Sequence, residues 1–248
     1  MKRRYQLLLI IVIGIILTII INSFHVISKT NITALGDGLS AGMTPYNVVG
    51  TSFNDYLKEK LDKENNLSNY NYEFSYVHQT IHELNEHIDE NNYGKTTKIP
   101  IKQIIAKSDI VTIAIGIDEL ASISLVDKVT DEMIYTYLNE MDGLLSKIKD
   151  FYEKDIIVLG LYPANNLTKK DAIEINSNLK KICGKYNAYF LDIIALSLNE
   201  KYYLEKESYY MNYLAHKEIA KIIYNIYKNW YLFIICSVLA VLSIVISK

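Results

Sequence analysis

The chain has 248 residues, 26 basic and 28 acidic, for a formal net charge of −2, and half of it is apolar. That length suits one domain of about 200 residues with appendages, and the apolar fraction excludes a disordered chain. The near-neutral balance, with Lys2-Arg3-Arg4 as the one basic run, argues against nucleic acid as a partner. Two cysteines, Cys183 and Cys236, exclude a disulfide scaffold and a cysteine-based zinc finger, and no cofactor is expected.

Residues 7–21 form an uncharged apolar run that, extended over 5–24, is just long enough to cross a bilayer core of about 30 Å. The basic cluster before it predicts a cytoplasmic N-terminus, and Asn22-Ser23-Phe24-His25 after it, a poor cleavage sequence, predicts an uncleaved anchor. A second apolar run, 230–247, opens on Trp230 and Tyr231, which suit a membrane interface. The sequence thus predicts a basic cytoplasmic end and transmembrane anchor over 1–24, an extracytoplasmic domain over 25–228 and a transmembrane helix over 229–248. The expectation is a cell-membrane protein held in the lipid bilayer by two helices, with both termini cytoplasmic. The central part then carries a charge of about −6.

Between the runs, apolar stretches alternate in kind. Strands are predicted over 31–35, 72–77, 109–116, 155–161 and 188–193, and helices over 52–61, 79–88, 130–149, 171–185 and 214–228. The stretch 109–116 is rich in Val and Ile, as a buried parallel strand requires. On the helix at 130–149, Ile134, Leu138, Met141, Leu145 and Ile148 share one face, with Thr130 or Asp131 as the cap. Five strands separated by helices imply a three-layer, doubly wound parallel sheet of flavodoxin-like type. In such sheets ligands bind at the C-terminal ends of the strands, so chemistry belongs just after Leu35, Val77, Ile115 and Leu161.

The residues at those strand ends carry a pattern. Gly36-Asp37-Gly38-Leu39, Gly116-Ile117-Asp118-Glu119 and Tyr209-Tyr210-Met211-Asn212-Tyr213-Leu214-Ala215-His216 resemble three blocks of the GDSL/SGNH hydrolases, and Gly160-Leu161-Tyr162-Pro163 fits the same family. A weaker block, His78-Gln79-Thr80, falls near the family's usual Gly-x-Thr. The resemblance implies the three-layer fold over roughly residues 31–227 and acyl-ester hydrolysis: a Ser at the strand-to-helix elbow attacks, a His takes its proton, and an Asp orients that His. It also implies an oxyanion held by backbone and side-chain donors that include a Gly and an Asn.

Carried over position by position, the resemblance places Gly38 at the nucleophile, Tyr210 at the base, Glu207 at the orienting acid, Asp118 at the oxyanion Asn and His78 at the second-block Gly. Asp37 and Gly116 complete the crevice. Gly has no side chain, and a Tyr of ordinary pKa near 10 is a poor base at neutral pH. This implies a degenerate hydrolase that binds envelope glycan or acyl-ester ligands. Tyr202, Tyr203, Tyr209, Tyr210 and Tyr213 then supply a rim on which sugar rings could stack.

Two alternatives remain. In the first, Ser40 and His216 form an active serine esterase or deacetylase. A helix beginning at the elbow turns Ser40 away from the crevice, and His216 lies six residues beyond the base position. In the second, Asp37, Asp118 and Glu207, with His78 beside them, hold a divalent cation whose bound water replaces the serine.

Overall fold

The computed structural model describes residues 29–121, 128–204 and 209–228, together with Gly14. Five parallel strands form one sheet: β1 (Thr30–Gly36), β2 (Leu67–Ser75), β3 (Ile110–Ala114), β4 (Asp155–Leu159) and β5 (Tyr189–Leu191), in the order β2-β1-β3-β4-β5. The chain steps from β1 outward to β2 and then returns across β1 to β3. The strand order therefore reverses between β1 and β3, and a doubly wound sheet opens its ligand crevice at that point.

Local chemistry accounts for the helices. Ser52, Thr80 and Thr168 cap α2 (Phe53–Lys63), α3 (Ile81–Asp89) and α7 (Lys169–Lys185), each in a reciprocal box with the acidic residue three places on. Thr130 caps α6 (Asp131–Lys149), which buries Ile134, Met141, Leu145 and Ile148 as the periodicity predicts, with Tyr137 and Leu144 beside them and Leu138 half-buried. Helix α6 packs between α3 and α7. Helix α2 packs on β1 and β2, and the C-terminal helix α9 (213–228) meets it where the His216 ring stacks on Phe53. Every side chain of β3 is buried, as its unbroken apolar run requires.

Helix α1 (Gly38–Ala41) is the one expected at the elbow, while three short helices have no counterpart in the sequence reading: α4 (Ile101–Lys107), α5 (Ile117–Ala121) and α8 (Ile194–Ser197). Each is two turns or less, too short to establish a period of 3.6. Strand β2 begins five residues earlier than predicted, because Ser68, Asn69 and Asn71 are poor strand formers and pairing with β1 overrides their preference.

The membrane assignment is corrected. Among the described residues no helix is long and apolar enough to cross a membrane. The transmembrane flanks, the bilayer as partner, the cell-membrane location and the two-span topology are therefore not carried further. The runs 5–24 and 230–247 on which they were based lie outside the described residues, apart from Gly14.

Candidate active site

Strand β1 ends in a turn that only glycine can make at Gly36. Its φ is +133°, and a Cβ there would lie 1.8 Å from the Ala114 carbonyl oxygen of β3. The next residue, Asp37, caps α1 by accepting the Leu39 N–H at Oδ1 (3.2 Å). Its Oδ2 accepts the N–H groups of Gly116 (2.8 Å) and Asp118 (3.1 Å), tying the end of β1 to the turn after β3. Asp37 has no exposed surface. Burial first, and the charge of Asp118 second, push its carboxyl well above the usual carboxylate range.

Asp118, near the start of α5, sits at the centre of the crevice and is 3% exposed. Its Oδ2 accepts the backbone N–H of Gly38 (2.9 Å) and of His78 (2.8 Å). Its Oδ1 accepts the hydroxyl of Tyr210 at 2.5 Å. One carboxylate thus closes together the turns after β1 and β2 and the segment before α9. His78 holds a φ of 65°, a conformation few non-glycine residues adopt, and this conformation aims its N–H at Asp118. The His78 ring is exposed, with Nδ1 3.9 Å from Asp118 Oδ2.

Tyr210 is 3% exposed, its ring edge-on to Tyr209 with centroids 4.3 Å apart. Burial, then the hydrogen bond to Asp118, push its hydroxyl far above the ordinary tyrosine range, so at neutral pH it is a donor and not a base. Tyr209 donates its hydroxyl to the Ile117 carbonyl. A Cβ on Gly38 would fall 2.7 Å from Tyr210 Oη and 2.8 and 2.9 Å from the two Asp118 carboxylate oxygens. The space a side chain at position 38 would need is already taken by these groups.

The structure therefore brings together Asp37, Gly38, Gly116, Asp118, Tyr210 and the backbone of His78. Ser40 is buried in α1, where its Oγ accepts from Asn54 Nδ2 (3.2 Å). Asp37 is the cap of that helix. Asn54 in turn accepts the Thr112 hydroxyl (2.7 Å), so Ser40 belongs to a polar link between α2 and β3. His216 is 1% exposed and accepts the Phe53 N–H at Nδ1 (3.1 Å). Burial lowers its pKa to about 4, so it is neutral and engaged. Glu207 lies outside the described residues.

Among the described residues no group of three or more His, Cys, Asp or Glu side chains could hold a metal ion, and the oxygens of Asp37 and Asp118 accept protein N–H and O–H groups. The expected aromatic rim is not assembled either. Tyr202 and Tyr210 are buried, Tyr203 and Tyr209 are half-buried, and only Tyr213 stands exposed.

The sequence reading missed Asn54 and Tyr137. Tyr137, fully enclosed on α6, donates to the Ile115 carbonyl (3.0 Å) beneath the turn after β3. Its place in the apolar stripe of α6 gave no sign of that bond.

A sheet of this order, with its crevice built from the turns after β1, β2 and β3 and the segment before the last helix, defines a doubly wound α/β protein of the flavodoxin-like type. The chain belongs to the GDSL-like lipase/acylhydrolase family, whose model matches residues 32–213. Similar solved structures include a psychrotrophic esterase from Pseudoalteromonas sp., at 15% identity and a TM-score of 0.58, covering 82% of this chain and 99% of that one. An acetylxylan esterase from Geobacillus stearothermophilus, solved as a catalytic mutant, matches at 17% identity and a TM-score of 0.56, covering 78% and 92%. A lipase/acylhydrolase from Enterococcus faecalis matches at 14% identity and a TM-score of 0.57, covering 79% and 93%. At these identities the likeness is one of fold. No curated protein matches the chain.

Proposed function

We propose that this chain is a non-catalytic member of its family: it keeps the hydrolase fold, has given up acyl-ester hydrolysis, and acts by binding a carbohydrate or acyl-ester ligand. In this reading Gly38 stands at the nucleophile, Tyr210 at the base and Asp118 at the oxyanion-binding amide. The observation that carries it is the seat of the Asp118 carboxylate. Oxyanion stabilisation needs unengaged donors aimed at developing negative charge. Here the N–H groups of Gly38 and His78 both point at Asp118 Oδ2, 2.9 and 2.8 Å away. A substrate oxyanion would meet a carboxylate already holding those donors. Removing even one such donor typically costs a hydrolase about 10²–10³ in rate.

The serine-esterase alternative has less support. It asks Ser40 to leave Asn54 and asks a neutral, hydrogen-bonded His216 to serve as base. The test is hydrolysis of p-nitrophenyl acetate by the full chain and its Ser40→Ala variant. Neither protein is expected to exceed the rate in buffer. Turnover that disappears in Ser40→Ala would overturn the reading and restore the chain as an esterase.

A further inference from the structure

The edge strand β2 carries a surface that the crevice does not use. Ile32 of β1 pairs with Tyr70, and Gly36 pairs with Ser75, with an irregularity between. Tyr70 and Ser75, five residues apart across that irregularity, wall the same two clefts. Tyr72 joins them, and the rings of Tyr70 and Tyr72 stack with centroids 5.4 Å apart at 29°.

The two clefts, of about 430 and 350 Å³, lie against this surface and share Tyr70, Tyr72, Ser75 and Tyr76 as walls. The larger reaches Ser40 and Ala41 of α1 and Val77, beside the crevice, and the smaller runs out to the turn at Lys95 and Thr97.

Three properties of the groove define an occupant. The first is exposed aromatic surface: Tyr72 is 61% exposed, and flat rings offer apolar faces with polar tips. The second is Ser75. It lines both clefts and is 8% exposed, yet among the described residues its Oγ has no hydrogen-bond partner. A buried hydroxyl in that state is costly, and no bond opposes its turning about χ1 toward a ligand hydroxyl. The third is charge. Asp55 lines the larger cleft and Glu73 and Lys95 the smaller, so neither has the positive excess that would favour phosphate, sulfate or carboxylate groups.

We propose that the β2 groove binds a neutral carbohydrate chain, sugar faces lying on Tyr70, Tyr72 and Tyr76 and a sugar hydroxyl bonding Ser75. This gives the binding role proposed above a ligand and a place, but it does not depend on the state of the crevice.

The test is isothermal titration of the full chain with cellohexaose, xylohexaose and chitohexaose, with dextran sulfate as the anionic comparison. At least one neutral oligosaccharide is expected to bind. Tyr72→Ala, at an exposed position, should weaken that binding about tenfold. Ser75→Ala should weaken it as well while leaving thermal unfolding unchanged or raised, because it removes an unsatisfied buried hydroxyl. A purely structural serine would leave binding intact. No binding of any neutral oligosaccharide, binding that both variants leave unchanged, or preference for dextran sulfate would each overturn the proposal. Ester hydrolysis is read separately, so failure here and failure of the non-catalytic reading are distinguishable.

Discussion

Restoring the family's serine by Gly38→Ser should destabilise this protein rather than activate it. The Cβ of the new residue lands 2.7 Å from Tyr210 Oη and 2.8 and 2.9 Å from the Asp118 oxygens, all closer than real Cβ contacts allow. Forcing extra atoms into packed space costs about 1–3 kcal/mol. Relief requires Tyr210 Oη and the Asp118 carboxylate to shift, which strains the 2.5 Å bond between them, worth about 1.5–3 kcal/mol. Gly38 does not have a positive φ, so the backbone accepts serine and the unfolded chain loses some freedom, an opposing gain of about 0.4–1 kcal/mol. The net expectation is a loss of roughly 2–5 kcal/mol, or about 5–15 °C in Tm for a domain of this size. Urea denaturation followed by far-UV circular dichroism measures it. Adding Tyr210→Phe removes the nearest clashing atom, so the double variant should be about 1–2 kcal/mol more stable than the sum of the single effects. A Gly38→Ser variant within about 0.5 kcal/mol of the parent, or one that hydrolyses p-nitrophenyl acetate, would refute the argument that the nucleophile's space is occupied.

Two further outcomes follow from the same geometry. Tyr210→Phe alone should cost about 1.5–3 kcal/mol, because the buried Asp118 loses its hydroxyl donor; a melting curve that overlays the parent's would show that the bond carries no weight. His216, with a pKa lowered to about 4 by burial, takes up its proton more readily when unfolded, near pH 6.5. Its contribution to stability is therefore fully present above pH ~6.5 and is lost as pH falls towards ~4, amounting to roughly 3 kcal/mol. His216→Gln does not titrate and should flatten that slope; equal slopes for parent and variant between those pH values would exclude the assignment.

The strand-end blocks were legible because they are local: a turn of Gly36, Asp37 and Gly38, or a segment beginning at Gly116, is written in adjacent residues. The absence of a hydroxyl at position 38 was equally plain. What closes the site was not legible. That Asp118 takes N–H groups from Gly38 and His78, eighty and forty residues away, follows from bringing three strand ends to one switch point. Only the strand order does that. The tyrosines divide the same way. Those near position 210 looked like a rim because aromatic composition carries no information about depth, and bonds to Ile117 and Asp118 after β3 drew Tyr209 and Tyr210 inward.

The sequence alone determined the alternation of strands and helices, the cap at Thr130 and the family resemblance, because each depends on periodicity or on neighbours within a few residues. The tertiary structure decided which groups meet. It set the carboxylate of Asp118 on the backbone donors of two turns. By pairing β2 with β1 across an irregularity, it also brought Tyr70, Tyr72 and Ser75 to the walls of shared clefts. Both outcomes depend on the register between segments far apart in the chain, and that register is fixed only when the sheet assembles and the core excludes water.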